Sequence, residues 1–341
     1  MALPVINSHN SWSQLEEVWL GDVYPKEWYE HLEPQVRDVF QKLTEITQQD
    51  LNTIQRTLES HDIIVRRPVY NQIDDYIDVS DNHLVKPQIT PRDYFVTVGN
   101  NLYIPTTDHR NVLPWRDIIQ GYKSDKNSNV EKGSLSHEFH GANVVRVGKD
   151  IIIDRDVFDI DQDHVFFEPL KKNYRLHWEK NGGHMDGCFA VLKPGLILAN
   201  HYFDGYDRTF PGWEIIYLDN PTYYAPPSIG YQQPYPVYNG KFYDTTVGTN
   251  RMFNDHIVQH AQDWVGNYTE TYFELNCLSI NESNVIMLAE NETLAEDLAR
   301  RGITVHWVPF RTRSFWDGAM HCLTVDIRRQ SSVEDFFPAR G

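Results

Sequence analysis

Cysteine is scarce in this sequence: Cys188, Cys277 and Cys322 are the three in 341 residues. An odd, widely spaced set of thiols cannot form the framework of a disulfide-stapled secreted domain, and it points to a reducing, cytoplasmic compartment. Long apolar runs are also missing. Nowhere do ~18 apolar residues follow one another, and the first residues lack a basic start leading into an apolar stretch, so neither a spanning helix nor a secretory leader is expected. No run of Lys or Arg offsets the net charge of −17. That balance repels phosphate backbones and anionic lipid heads, which excludes nucleic acid and membrane surfaces as expected partners, while an acidic field suits a cationic small molecule. The phosphate-cradling Gly-x-x-x-x-Gly-Lys, Gly-x-Gly-x-x-Gly, Gly-x-Ser-x-Gly, Cys-x-x-Cys and His-Glu-x-x-His are all absent. Nucleotide, dinucleotide and zinc chemistry therefore recede, and no metal or other cofactor is expected.

What is present is a chain rich in aromatics, with nine Trp, nineteen Tyr and sixteen Phe that need a packed interior. From Pro34 to Ser60 apolar residues recur at helical spacing, and Ile63-Ile-Val65 then reads as a strand. Likewise Thr293 is placed to cap a helix over Leu294–Arg301, Gly302 to end it, and Ile303–Val308 to form a strand. Helices alternate with strands, so the class is α/β. The stretch Lys123–Gly133 reads as one exposed loop, and no Pro-, Gly- or Ser-rich linker divides the chain, so residues 1–341 are expected to form a single domain.

Five short apolar segments share one shape: Glu17–Gly21, Asn101–Ile104, Asp150–Ile153, Gly195–Leu198 and Asn284–Leu288. The later four recur at steps of ~45–50 residues or twice that, the signature of strand–helix units repeated radially. Before those four strands stand Asp93, the stretch His140–Asn143, His184 with Asp186, and Asn276. In a radial fold such equivalent polar positions converge on the axis and build one central site.

A Cys, a His and several carboxylates are the chemistry-bearing residues that remain. In Asn181-Gly-Gly-His-Met-Asp-Gly187, an extended backbone would put His184 and Asp186 on one face. Taken alone, that segment equally suits a polar turn, and Met320–Arg328 equally suits a strand burying a small thiol at Cys322.

Together, Ser11–Gly21, Pro91–Asn100, Phe139–Asp150, His184-Met-Asp186 with Lys193–Asn200, and His321–Arg329 resemble, in order, motifs of the arginine amidinotransferases. The likeness runs from about residue 8 to about residue 330. It implies the pentein fold, a five-fold pseudosymmetric α/β propeller, and transfer of an amidino group from arginine to an amine such as glycine or an inosamine phosphate. It further implies Cys322 as nucleophile, His184 as general acid/base, Asp93 and Asp186 as the grip on the guanidinium, and Arg92, Asn143 and Asn276 as further substrate contacts. Small-molecule substrates are the partners it implies, and it leaves room for a homodimer. The chemistry is coherent: two carboxylates match the paired N–H donors of a guanidinium, and a thiol beside a His and a cationic substrate is expected to ionise readily. Two departures stand out. Where the family orients its catalytic His with an acidic residue, this chain has His140, so either Glu138 takes that duty or His184 is tuned differently. The arginine that glycine-using relatives carry after the Asn200-like position is matched by Arg208 only across a gap. Hydrolysis of arginine, with water in place of the amine, and slow or absent turnover of a bound guanidino ligand are the competing expectations.

Overall fold

A computed structural model describes residues 5–78, 83–106, 108–132, 139–154, 165–180, 184–201, 205–218, 251–265, 273–288, 290–316 and 318–340. Among these residues the framework is five three-stranded sheets and one two-stranded pair, none closed on itself. Each three-stranded sheet has the same plan. A central strand pairs antiparallel on one side and parallel on the other: Leu15–Leu20 between Thr324–Arg329 and Ile64–Arg66, and Asn101–Ile104 between Val96–Val98 and Asn129–Lys132. The others are Asp150–Asp154 between Val144–Val147 and Arg175–Glu179, Leu196–Ala199 between Phe189–Lys193 and Glu214–Tyr217, and Asn284–Met287 between Leu278–Asn281 and Thr304–Trp307.

The five central strands are the five apolar segments of the sequence repeat. Their residues are almost all buried, because each strand has a neighbour on both edges and packing on both faces, and such strands read as continuous rather than alternating apolar runs. In the four later sheets the antiparallel neighbour is joined by a tight turn, with Gly148 and Gly195 in the left-handed region at φ 65° and 83°. The parallel neighbour requires a longer crossover.

The long helix Pro34–Glu59 matches its sequence prediction. Proline at its first turn needs no hydrogen-bonded N–H, and Val36, Val39, Phe40, Leu43, Leu51, Ile54 and Leu58 form its buried stripe. The chain leaves it through Asp62 at φ 61° and enters Ile64–Arg66. The later helix is Glu292–Arg300, and its cap is Asn291, whose Oδ1 accepts from the Leu294 N–H at 3.0 Å, rather than Thr293. Asn and Thr both cap well, and only the backbone geometry decides which stands at the boundary. The Lys123–Gly133 stretch is not a loop throughout, since Asn129–Lys132 adds the parallel strand to its sheet. Polar residues dominate that edge strand, so it carries no apolar signal.

Candidate active site

A tight turn precedes the first strand of four sheets in chain order, and each carries residues singled out by the sequence. The turns are Pro91–Asp93 before Val96–Val98, Gly141–Asn143 before Val144–Val147, Met185–Gly187 before Phe189–Lys193, and the turn and bend at 273–276, which hold Asn276, before Leu278–Asn281. A turn at 320–323 leads into Thr324–Arg329. The first three pack against one another in series, and the Pro91–Asp93 turn also meets Thr324–Arg329. Convergence of equivalent polar positions is thus realised through turns.

Cys322 is buried within this cluster. Its Sγ accepts from Asn276 Nδ2 at 3.1 Å and donates to Asp186 Oδ2 at 3.4 Å, while its backbone N–H donates to Asn276 Oδ1 at 3.0 Å. Asn276 therefore fixes both the sulfur and the backbone that carries it. Gly318 lies against the thiol: a Cβ there would meet Thr90 Cγ2 at 2.8 Å and Cys322 Cβ at 3.1 Å. The sulfur is confined by design of its neighbours.

Electrostatically the thiol is held protonated. Burial, then the charges of Asp186 and Asp93, push its pKa well above the ordinary value, against the opposing Asn276 bond. The expected easy ionisation is therefore not a property of the site with no cation bound. Asp93 is itself raised, by burial first and by Asp186 in addition, with His184 and Lys86 opposing. In Asp186, burial acts upward, but the bond from His321 and the charges of His321, His184 and Arg92 prevail and hold it to about 2.

His321 was quoted in a motif but given no role by the sequence. Its Nδ1 donates to Asp186 Oδ2 at 2.8 Å, and burial followed by the Arg92 charge lowers its pKa to about 4. A neutral imidazole thus pins one oxygen of Asp186. The other oxygen, Oδ1, is buried with no hydrogen-bond partner among the described residues, and so is Oδ1 of Asp93. Two carboxylate oxygens beside a thiol are thereby left to accept, which is costly unless a donor arrives.

His184 is exposed and precedes the Met185–Gly187 turn, so it does not share an extended face with Asp186. His140 is buried and meets His184 edge-on, with ring centroids 5.1 Å apart at 69°. Asn143 donates through Nδ2 to His140 Nε2 at 3.3 Å. Glu138 lies outside the described residues.

Arg92 departs from the substrate-contact expectation. It is buried beneath the Cys322 turn, donating through Nε to the carbonyls of His321 at 2.8 Å and Thr324 at 2.7 Å, and through Nη2 to Asp326 Oδ1 at 2.9 Å. Its geometry is that of a support for the turn. Asp326 also pairs with Arg146 and Arg329, so three buried arginines surround one carboxylate below the site. Arg208 is largely exposed and pairs with Glu179 at 2.8 Å. A cavity of about 770 Å³, lined by His9, Asn101, Tyr103, Phe139 and Tyr174, contains none of the turn residues around Cys322.

No protein-family model matches the chain. It is similar to the L-arginine:L-lysine amidinotransferase of Pseudomonas savastanoi pv. phaseolicola, 22% identical over 96% of both chains. It is also similar to the mitochondrial glycine amidinotransferase of Gallus gallus, 23% identical over 58% of this chain and 40% of that protein. Among solved structures, an amidinotransferase of the saxitoxin biosynthetic pathway from Microseira wollei shares the fold at a TM-score of 0.69, with 21% identity over 97% of this chain and 99% of the other. The cyanobacterial arginine dihydrolase domain follows at a TM-score of 0.57, 15% identical over 94% and 100%. The similarity in sequence is to enzymes that transfer amidino groups.

Proposed function

We propose that this chain takes an amidino group from arginine onto Cys322 and passes it to an amine acceptor such as glycine, releasing ornithine. The observation that carries this reading is the pair of unpartnered, buried carboxylate oxygens, Asp93 Oδ1 and Asp186 Oδ1, beside the Cys322 thiol. A guanidinium supplies N–H donors in one plane and a positive charge, the two things that arrangement lacks. Its charge also offsets the carboxylates that hold the thiol protonated, so binding of the donor promotes transfer of the thiol proton to His184 and leaves the thiolate.

The thiolate then attacks the guanidinium carbon. The bond from that carbon to the side-chain nitrogen breaks as His184 protonates the departing amine, and ornithine leaves. The amidino thioether that remains is still cationic and still matched to Asp93 and Asp186. An acceptor amine gives a proton back to His184, attacks the same carbon and returns the electron pair to sulfur. Asn143 and Asn276 complete the polar wall; Asn276 in particular stabilises the thiolate through its Nδ2 bond to Sγ. In this reading the five like-ordered sheets are blades of a five-fold pentein propeller within one domain, and the turns before their first strands surround its axis.

The fold shared with the arginine dihydrolase keeps one alternative open, because a hydrolase begins with the same attack of the thiolate on the guanidinium carbon but expels ammonia instead of ornithine, keeps the side chain attached, and lets water take the place of the amine. Incubation with arginine and candidate amines, followed by mass spectrometry, separates the two. Ornithine that forms only when an amine is added supports transfer; citrulline or ammonia without one supports hydrolysis. With arginine alone, the peptide holding Cys322 should gain an amidino group, and an adduct on Cys188 or Cys277 instead would overturn the assignment.

A further inference from the structure

Three histidines outside this site face one another across a small cavity. His256 and His260 stand four residues apart on the helix Arg251–His260, hence on one face, and His83 comes from the short strand His83–Leu84. One ring nitrogen of each lies within 4.8 Å of the other two, and among the described residues no other three His, Cys, Asp or Glu side chains meet so closely. Ring centroids are 3.3 Å apart for His83 and His260, 5.0 Å for His256 and His260, and 5.3 Å for His83 and His256. All three are half-buried, and Nδ1 of His260 is buried with no hydrogen-bond partner among the described residues. The cavity, roughly 20 Å³, has room for one small guest, is walled by Tyr29, Phe40, Leu84 and Trp264, and is also lined by His31.

We propose that His83, His256 and His260 bind one divalent transition-metal ion, with Zn²⁺ the ion their donor set suits, as a structural clip between the helix Arg251–His260 and the His83–Leu84 strand. Three neutral imidazoles are a common protein donor set for Zn²⁺, and the fourth position falls to His31 or to water. Nitrogens bound to one tetrahedral Zn²⁺ sit ~3.4 Å apart, since each Zn–N bond is about 2.1 Å, so the rings need close by only about 1–1.5 Å. Half-buried rings can turn that far about χ1 and χ2. The His-x-x-x-His spacing was visible in the sequence; without the Glu of a zinc-protease motif it pointed nowhere until the fold brought His83 to it.

The test uses the tag-free full-length chain stripped with a chelator. Co²⁺ should give the intense visible bands of a four-coordinate nitrogen site, and Zn²⁺ titrated against a chromophoric chelator should bind at one ion per chain and raise Tm by several degrees. His256→Ala and His260→Gln should each abolish binding and the Tm rise, whereas His61→Ala, in a histidine pair with His306, should leave both unchanged. No uptake by the wild type, weak octahedral Co²⁺ bands, or uptake unaltered in both variants would overturn the proposal. Should a variant fail to fold, the Co²⁺ spectrum of the wild type decides by itself.

Discussion

Cys322 sits against a carboxylate it does not need for its own sake: Asp186, and Asp93 behind it, make the free thiol a weaker nucleophile. This arrangement separates two effects of Asp93→Asn. Removal of one charge eases ionisation, so alkylation of Cys322 by iodoacetamide at pH 7 should quicken. Loss of a charge-assisted contact to the guanidinium should at the same time lower kcat/KM by about 2–4 kcal/mol, roughly 30- to 1000-fold. Slower alkylation together with unchanged kcat/KM would place the guanidinium elsewhere. His140 gives a second residue-scale prediction. It meets the ring of His184 where relatives are expected to hold an acid, and an imidazole there can carry a proton of its own. His140→Asp should therefore lower kcat; a faster variant across the whole pH range would mean that the position had only lost its carboxylate. His321 has a different part, because it acts through Asp186 and was legible in the sequence only as a neighbour of Cys322.

At the scale of elements, the turns before the first strands bring together the residues singled out by the sequence. The residues in these turns were found by their distance from apolar strands, because a similar strand–turn offset recurs in the four later sheets. Distance alone could not say which way a side chain points. His184 and Asp186 were expected to share a face, yet the helical turn at Met185–Gly187 buries one and exposes the other. Arg92 was read beside Asp93 as a substrate contact, and the same local geometry turns it away toward Asp326. The turn that carries Cys322 is tested most directly at Gly318. Gly318→Ala would push a methyl to 2.8 Å from Thr90 Cγ2 and 3.1 Å from Cys322 Cβ, so the Thr90 methyl must move and the Cys322 Cβ that carries the sulfur must give by a few tenths of an ångström. Turnover should fall at least tenfold, since displacement of about an ångström at a reacting atom costs ~10²-fold, while the unfolding midpoint should move far less than it does in a core deletion. Wild-type kcat in that variant would show that the sulfur has slack.

For the whole molecule, the charges below the site matter most. Asp326 is held well below its ordinary pKa; burial acts against this, and Arg146, Arg329 and Arg92 outweigh it. Asp326→Asn would leave three buried guanidinium groups around a neutral amide, and denaturant unfolding should register a loss of about 3–5 kcal/mol. The pH dependence has a separate source. His321 has a folded pKa of about 4 against an ordinary 6.5, so between those values the unfolded chain binds a proton that the folded one does not. Stability is therefore independent of this group above pH 6.5 and falls as pH drops from 6.5 toward 4, by up to roughly 3 kcal/mol. His321→Asn should flatten that slope, leaving the part due to His256, which is lowered in the same window. An unaltered slope would remove His321 from the account. Among the described residues, no helix is long and apolar enough to cross a membrane.

The sequence by itself determined the five central strands, the long helix and the chain positions of Cys322, Asp93, Asp186 and Asn276. It could do so because burial on both faces forces continuous apolar runs, and repetition of one unit forces equal spacing. Only the tertiary structure decided what those residues meet. The bond of Asn276 to the sulfur, the neutral His321 on Asp186, the inward turn of Arg92 toward Asp326 and the meeting of His83 with His256 and His260 all join residues 46 to 234 positions apart. Such contacts depend on which way each turn rotates its side chains and on how the sheets pack, and no local pattern of apolar and polar residues encodes either.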